Sequence, residues 1–168
     1  MDGFIARENG ATDWLDNVPN PNQIDHGYAD FLKEIDLIVM GRKTYEQVLS
    51  FGIDWPYEGF KTYVITCNSG YKVKTSDTFL LHDVSSNSIE KLKNESKKNI
   101  WLVGGGEINT QFLSFHQLDE IRLFIAPVIL GNGIRLFPEI SNESGFDCVS
   151  TQLFETGFVN LTYKKKTI

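Results

Sequence analysis

The sequence predicts an α/β fold: a mainly parallel central sheet finished by a C-terminal antiparallel hairpin. Three observations predict it. Helical and extended patterns alternate along the chain, which favours a parallel sheet with helical crossovers. Two apolar runs, "LIVMG" and "WLVGGG", end in glycine directly ahead of a helical segment. The last third holds two β-rich segments with a glycine-containing connection, the pattern of a hairpin. With 168 residues, 41% hydrophobic and 23% charged, the chain suits a single domain able to bury its own core.

The elements follow in order. In "QIDHGYADFLKEI" the residues Ile24, Tyr28, Phe31, Leu32 and Ile35 recur at helical spacing, and "DLIVMG" is a short apolar strand closed by Gly41. "RKTYEQVL" reads as a short helix beginning near Thr44; "KTYVIT" and "DTFLLH" read as strands. "SNSIEKLKNESKK" predicts a helix capped by Asn87, with Glu90 three places on and a Lys-rich end suited to a helix C-terminus. "IWLV", the glycines Gly104 to Gly106 and the helix "EINTQFLSF" come next. The continuous apolar stretch in "LDEIRLFIAPVIL" predicts a buried strand. "FDCVSTQLFETGFVNLTYKKK" supplies the closing hairpin.

Composition excludes several function classes. A net charge of −6 and a pI near 5.0 argue against a nucleic-acid surface, which draws on clustered Lys and Arg; a small anionic ligand remains compatible. Cys67 and Cys148 are the two cysteines, far apart and without metal-ligand spacing, so neither a disulfide framework nor a metal site is expected. No apolar run approaches the roughly 20 residues of a membrane span, and the first residues do not form a signal peptide. A cytoplasmic protein with reduced thiols is the expectation.

Two junctions carry the chemistry. Backbone N–H groups at a helix start carry the positive end of the helix dipole, and a glycine turn lets an anion approach them without meeting Cβ atoms. Gly104, Gly105 and Gly106 would form such a cradle, although tight packing alone also explains glycine there. At "IVMGRKTYE" the strand ends at Gly41 while Arg42 and Lys43 stand at the helix start. Cations there oppose the dipole, so an anion between them is expected; a solvated basic corner is the plainer alternative. Arg42 occupies the place where a Walker A loop requires glycine, and no G-x-G-x-x-G run is present.

"VMGRKTYE", "YVITCNS", "WLVGGGEI" and "APVILGNGIRLF", in that order, resemble the dihydrofolate reductase superfamily. The last segment is most similar to its riboflavin-biosynthesis deaminase-reductase C-terminal branch. The resemblance implies a dihydrofolate reductase-like three-layer sandwich binding NADPH across the C-terminal edge of its sheet. It assigns Gly41, Arg42, Lys43 and Thr44 to the cofactor phosphates, and Thr66, Cys67 and Asn68 to the adenosine end. Gly104, Gly105, Gly106 and Glu107 would meet the pyrophosphate and nicotinamide side, with the first two glycines usually joined by a cis peptide. "MDGFIARENGATDWL" also matches the family, which places Ile5 and Ala6 beside the nicotinamide and makes Trp14 a wall of the pocket.

The same resemblance gives the substrate end. A carboxylate ahead of the M-G-R strand grips the pterin in dihydrofolate reductases, and counting back from Met40 places Asp25 there as the catalytic carboxylate. His26 and Tyr28, close by, would orient a substrate or relay a proton. The plainer readings are that Asp25 decorates a helix start, that Tyr28 belongs to the buried stripe, and that Asp2 serves only its own turn. The family has about eight to ten residues ahead of the D-G turn, forming a central strand, so a single domain over 1–168 without that first strand is expected. The substrate implied is 5-amino-6-(5-phosphoribosylamino)uracil, reduced at its sugar; a dihydrofolate or pterin reductase and a non-catalytic nucleotide-binding module are the alternatives. No H-x-E with P-C-x-x-C zinc pattern is present, so deaminase activity is not expected of this chain. A homodimer built partly on the C-terminal strands is implied as well.

Overall fold

The structure is a computed structural model that describes residues 1–140 and 143–166. In chain order the elements are β1 (Phe4–Ala6), α1 (Tyr28–Lys33), β2 (Ile35–Gly41), α2 (Arg42–Ser50), β3 (Lys61–Ile65), β4 (Thr78–Leu81) and α3 (Ser86–Glu95). They continue with β5 (Asn99–Gly104), α4 (Gly106–Ser114), β6 (Glu120–Ile125), β7 (Ile134–Arg135), β8 (Phe146–Leu153) and β9 (Val159–Lys165). Two compact units form: Gly27–Gln111, and Met1–His26 together with Phe112–Ile168.

The Gly27–Gln111 unit is built on a four-stranded sheet of order β4-β3-β2-β5, parallel throughout. β2 lies between two neighbours, and Ile38, Val39 and Met40 are fully buried along it. A side chain of that kind stabilises by about 1.5–3 kcal/mol when it leaves water, so "LIVM" is the anchor of this unit. Ile35, Ile38, Met40, Tyr45, Val48, Tyr57 and Val64 form one core cluster, which joins β2 and β3 to α2. The register pairs Gly41 with Ile65, Ile65 with Leu81, and Met40 with Gly104. The strand-to-helix turns after β2 and β5 therefore emerge on one edge.

Three helical expectations need correction here. The stripe from Ile24 to Ile35 is not one helix: His26 at φ 54° and Gly27 at φ 82° adopt left-handed backbone, so α1 begins only at Tyr28. Ile35 owes its burial to β2, and Tyr28 is 42% exposed rather than part of a buried stripe. α2 starts at Arg42 rather than Thr44. α3 is capped by Ser85, whose hydroxyl accepts from the Ser88 N–H while the Ser88 hydroxyl accepts from the Ser85 N–H; Asn87 lies inside the helix. Serine at both positions closes the reciprocal box that was expected of Asn87 and Glu90.

The second unit holds two antiparallel sheets: the pair β1-β7, and a three-stranded sheet of order β6-β9-β8. β8 and β9 are the hairpin expected from the sequence. β6 differs from the buried strand expected: Ile121, Leu123 and Ile125 are half-buried while Arg122 and Phe124 are exposed. Antiparallel pairing with β9 leaves alternate residues on opposite faces, and the strand stops before Pro127, which has no N–H to give a ladder. The fold class therefore stands as expected, a parallel sheet joined in sequence to an antiparallel one.

Candidate functional site

Gly41 closes β2 in extended backbone (φ −74°) and is the N-cap of α2, with no side chain capping the helix and no acid in its first turn. A Cβ at Gly41 would lie 3.0 Å from Ile108 Cγ1 and 3.7 Å from the Gly104 carbonyl oxygen. A side chain at Gly41 would crowd the other corner, because the two strand-to-helix corners lie against each other. The Gly104–Gly105 peptide is cis, as the resemblance implies. The Gly105 carbonyl accepts from the Ile108 and Asn109 N–H groups at 3.0 Å each, which starts α4. Across the corners, Lys43 Nζ stands 3.8 Å from Glu107 Oε1 with both side chains about four-fifths exposed, so the pair contributes little stability. Its value is as a measure of proximity. Arg42, Lys43, Gly104, Gly105, Gly106 and Glu107 are brought together, and Thr44 follows in the first turn of α2.

Arg42 is the first residue of α2 and points its guanidinium at the residue one turn on. Nη1 donates to both carboxylate oxygens of Glu46, at 2.9 and 2.8 Å. The Tyr71 ring centroid lies 5.9 Å from the guanidinium carbon, within cation–π range. Burial, and then the charge of Glu46, push the Tyr71 phenol above its usual pKa. Glu46 and Tyr71 were missed in the sequence reading. Glu46 had a visible signal, since residues four apart share a helix face; Tyr71 had none.

The loop after β3 reaches the same edge. Thr66 is buried; its hydroxyl accepts from the Asn68 N–H at 3.2 Å and its carbonyl accepts from His82 Nδ1 at 2.8 Å. The Asn68 side chain accepts from the Gly70 N–H at 3.0 Å. These successive side-chain turns hold the loop that delivers Tyr71. Cys67 between them is exposed. Tyr28, at the start of α1, meets Trp101 edge-on at 6.0 Å. Its phenol also helps burial push Tyr57 up to about 12.

In the other unit, Ile5 and Ala6 lie on β1, where Ala6 is buried opposite Ile134. Trp14 keeps its Nε1 buried without a hydrogen-bond partner among the described residues. Asp25 is exposed and precedes α1 rather than lying on it. His26 is placed against the β8–β9 turn: its ring lies 4.9 Å from Phe154 and 5.0 Å from Phe158, and Nε2 is 2.8 Å from the buried Thr156 hydroxyl. Asp2 accepts from the Gly131 N–H at 2.8 Å, so it serves the loop ahead of β7 as well as its own turn. Among the described residues, no group of His, Cys, Asp and Glu could hold a metal ion, and no helix is long and apolar enough to cross a membrane.

The chain is 35% identical over 154 residues to YwjB of Bacillus subtilis (strain 168), a protein described as uncharacterized; the match covers 92% of this chain and 87% of that one. It is similar to the crystal structure of a putative riboflavin biosynthesis protein from Shewanella sp. PV-4, with a TM-score of 0.89 and 32% identity over 99% of this chain and 94% of that one. It shares its fold with a dihydrofolate reductase from Enterococcus faecalis complexed with NADP(H), with a TM-score of 0.66 and 18% identity over 98% and 90% of the two chains. The family model for the RibD C-terminal domain matches residues 1–160. On that match, and on the ordered motifs around the two corners that it spans, the chain belongs to the RibD C-terminal domain family.

Proposed function

We propose that this protein is an NADPH-dependent reductase of the riboflavin-pathway type, acting on 5-amino-6-(5-phosphoribosylamino)uracil. The observation that carries the reading is the meeting of the two corners: a cationic one at Gly41 to Thr44 and a bare-glycine one at Gly104 to Glu107, close enough that a Cβ at Gly41 would lie 3.7 Å from the Gly104 carbonyl oxygen. The residues fit a dinucleotide. An uncapped helix start flanked by Arg42 and Lys43 suits phosphate, and glycine at the second corner suits close approach of a pyrophosphate to backbone. NADPH would supply a hydride.

The residues of the chain hold and orient. Gly41, Arg42, Lys43 and Thr44 take the cofactor phosphates, Thr66, Cys67 and Asn68 the adenosine end, and Gly104, Gly105, Gly106 and Glu107 the pyrophosphate and nicotinamide side. By resemblance, Ile5 and Ala6 contact the nicotinamide, Trp14 walls the pocket, and Asp25, His26 and Tyr28 serve the substrate, with Asp25 as the catalytic carboxylate. Hydride transfer needs the donor carbon about 3–3.5 Å from its acceptor, so positioning accounts for much of the rate. The proposal includes a homodimer built partly on the C-terminal strands, where β8 exposes Val149 and Leu153. A sedimentation mass of one chain would overturn that part.

The test mixes purified protein with NADPH and, in parallel, the ribosylaminopyrimidine phosphate or dihydrofolate, following loss of the reduced-nicotinamide absorbance. Turnover of the first supports the proposal and turnover of dihydrofolate alone replaces it. NADPH binding without turnover of either would leave a nucleotide-binding module. Arg42→Ala should weaken NADPH by about 10- to 100-fold, as expected for loss of a charge-assisted contact, and NADH far less.

A further inference from the structure

The Arg42 guanidinium spends one of its three nitrogens on the protein. Nη1 takes both Glu46 oxygens and the Tyr71 ring lies beside the group, while among the described residues neither Nε nor Nη2 has an acceptor. A guanidinium holds its five donors in one plane. Tying back Nη1 therefore leaves the Nε and Nη2 edge open, the parallel donor pair that matches two oxygens of a phosphate.

Helix stability explains little of the arrangement. A cation in the first turn opposes the dipole, and a carboxylate four residues after its cation is the weaker of the two orders. The carboxylate also repels any incoming anion. Its contribution has to be geometric: an arginine already held in one rotamer loses less freedom when it binds. Tyr71 limits motion of the same group from another element, the loop built by the Thr66 and Asn68 turns.

We propose that Glu46 and Tyr71 brace Arg42 into a preformed receptor for a phosphate monoester, and that Glu46 is the positioning residue that sets preference for the 2′-phosphorylated dinucleotide over the unphosphorylated one. The inference rests on the coenzyme reading above. It is tested by titrating 2′,5′-ADP, NADPH and NADH into the wild type, Glu46→Ala and Glu46→Gln, with circular dichroism confirming that each variant folds. Glu46→Ala should weaken 2′,5′-ADP and NADPH by about 3- to 10-fold, the tenfold end corresponding to about 1.4 kcal/mol, and leave NADH within about twofold. Glu46→Gln keeps an oxygen acceptor for Nη1 without the repelling charge, so it should bind at least as tightly as the wild type. Unchanged or tighter 2′,5′-ADP binding by Glu46→Ala would make Glu46 a competing counter-ion and overturn the brace, as would equal losses for NADPH and NADH. A wild type that binds neither dinucleotide sinks the coenzyme reading and the brace together, whereas a wild type that prefers NADPH while Glu46→Ala behaves like it sinks the brace alone.

Discussion

Gly133 and Gly41 are glycines for different reasons. Gly41 has ordinary backbone and is small because another corner touches it, whereas Gly133 has φ +145° and a Cβ there would stand 2.1 Å from the Ala6 carbonyl oxygen. That oxygen belongs to the backbone of β1, so it cannot swing aside. Gly133→Ala should cost at least the about 1–3 kcal/mol typical of overpacking. Gly131→Ala, at φ +81° with open space around it, should cost only the about 1–2 kcal/mol of left-handed backbone. Urea unfolding of the two variants checks this, and equal losses would show that the close approach is not the deciding factor. The glycines of "LGNG" stand in the sequence, but the neighbour of Gly133 on β1, more than a hundred residues away, cannot be read from it. His26 teaches the same lesson: its partner Thr156 lies 130 residues on, beyond any periodicity.

Elements were legible where the pattern is local. β2, β3, β4 and β5 announce themselves as short apolar runs, and α2 and α4 follow glycine as expected. The misjudged boundaries are those decided by one or two residues. α1 lost its first turn to left-handed His26 and Gly27, a conformation that apolar spacing does not encode. α3 took the first serine of "SSNS" as its cap because the hydroxyl exchange from Ser85 to Ser88 closes there. Ser85→Ala should therefore cost about 1 kcal/mol, while Asn87→Ala should stay within about 0.5 kcal/mol. Thermal or urea unfolding separates the two, and a larger loss at Asn87 would move the cap.

For the whole molecule, acid sensitivity is a property the structure adds. Burial raises the Asp36 carboxyl, but the Ser96 hydroxyl, the Lys97 and Lys98 N–H groups and the Lys98 charge outweigh it and hold the group below its usual value. Its hydrogen bonds, 2.5 Å from Ser96 Oγ and 2.7 Å from the Lys97 N–H, tie the segment after α3 to β2. A carboxylate whose folded pKa is depressed contributes stability that is present above the unfolded value near 3.9 and is lost as pH falls through the folded one. Urea stability of Asp36→Asn measured from about pH 5 down to about pH 2 should show a shallower acid decline than the wild type; parallel curves would assign the decline to other carboxylates. By itself the sequence determined the fold class, most strands and the two glycine corners, because apolar alternation and glycine placement act over a few residues. Only the tertiary structure decided that the corners touch, that Arg42 is held by Glu46 and Tyr71, and that His26 faces the hairpin, because each depends on backbone handedness or on partners brought together by chain folding rather than by spacing.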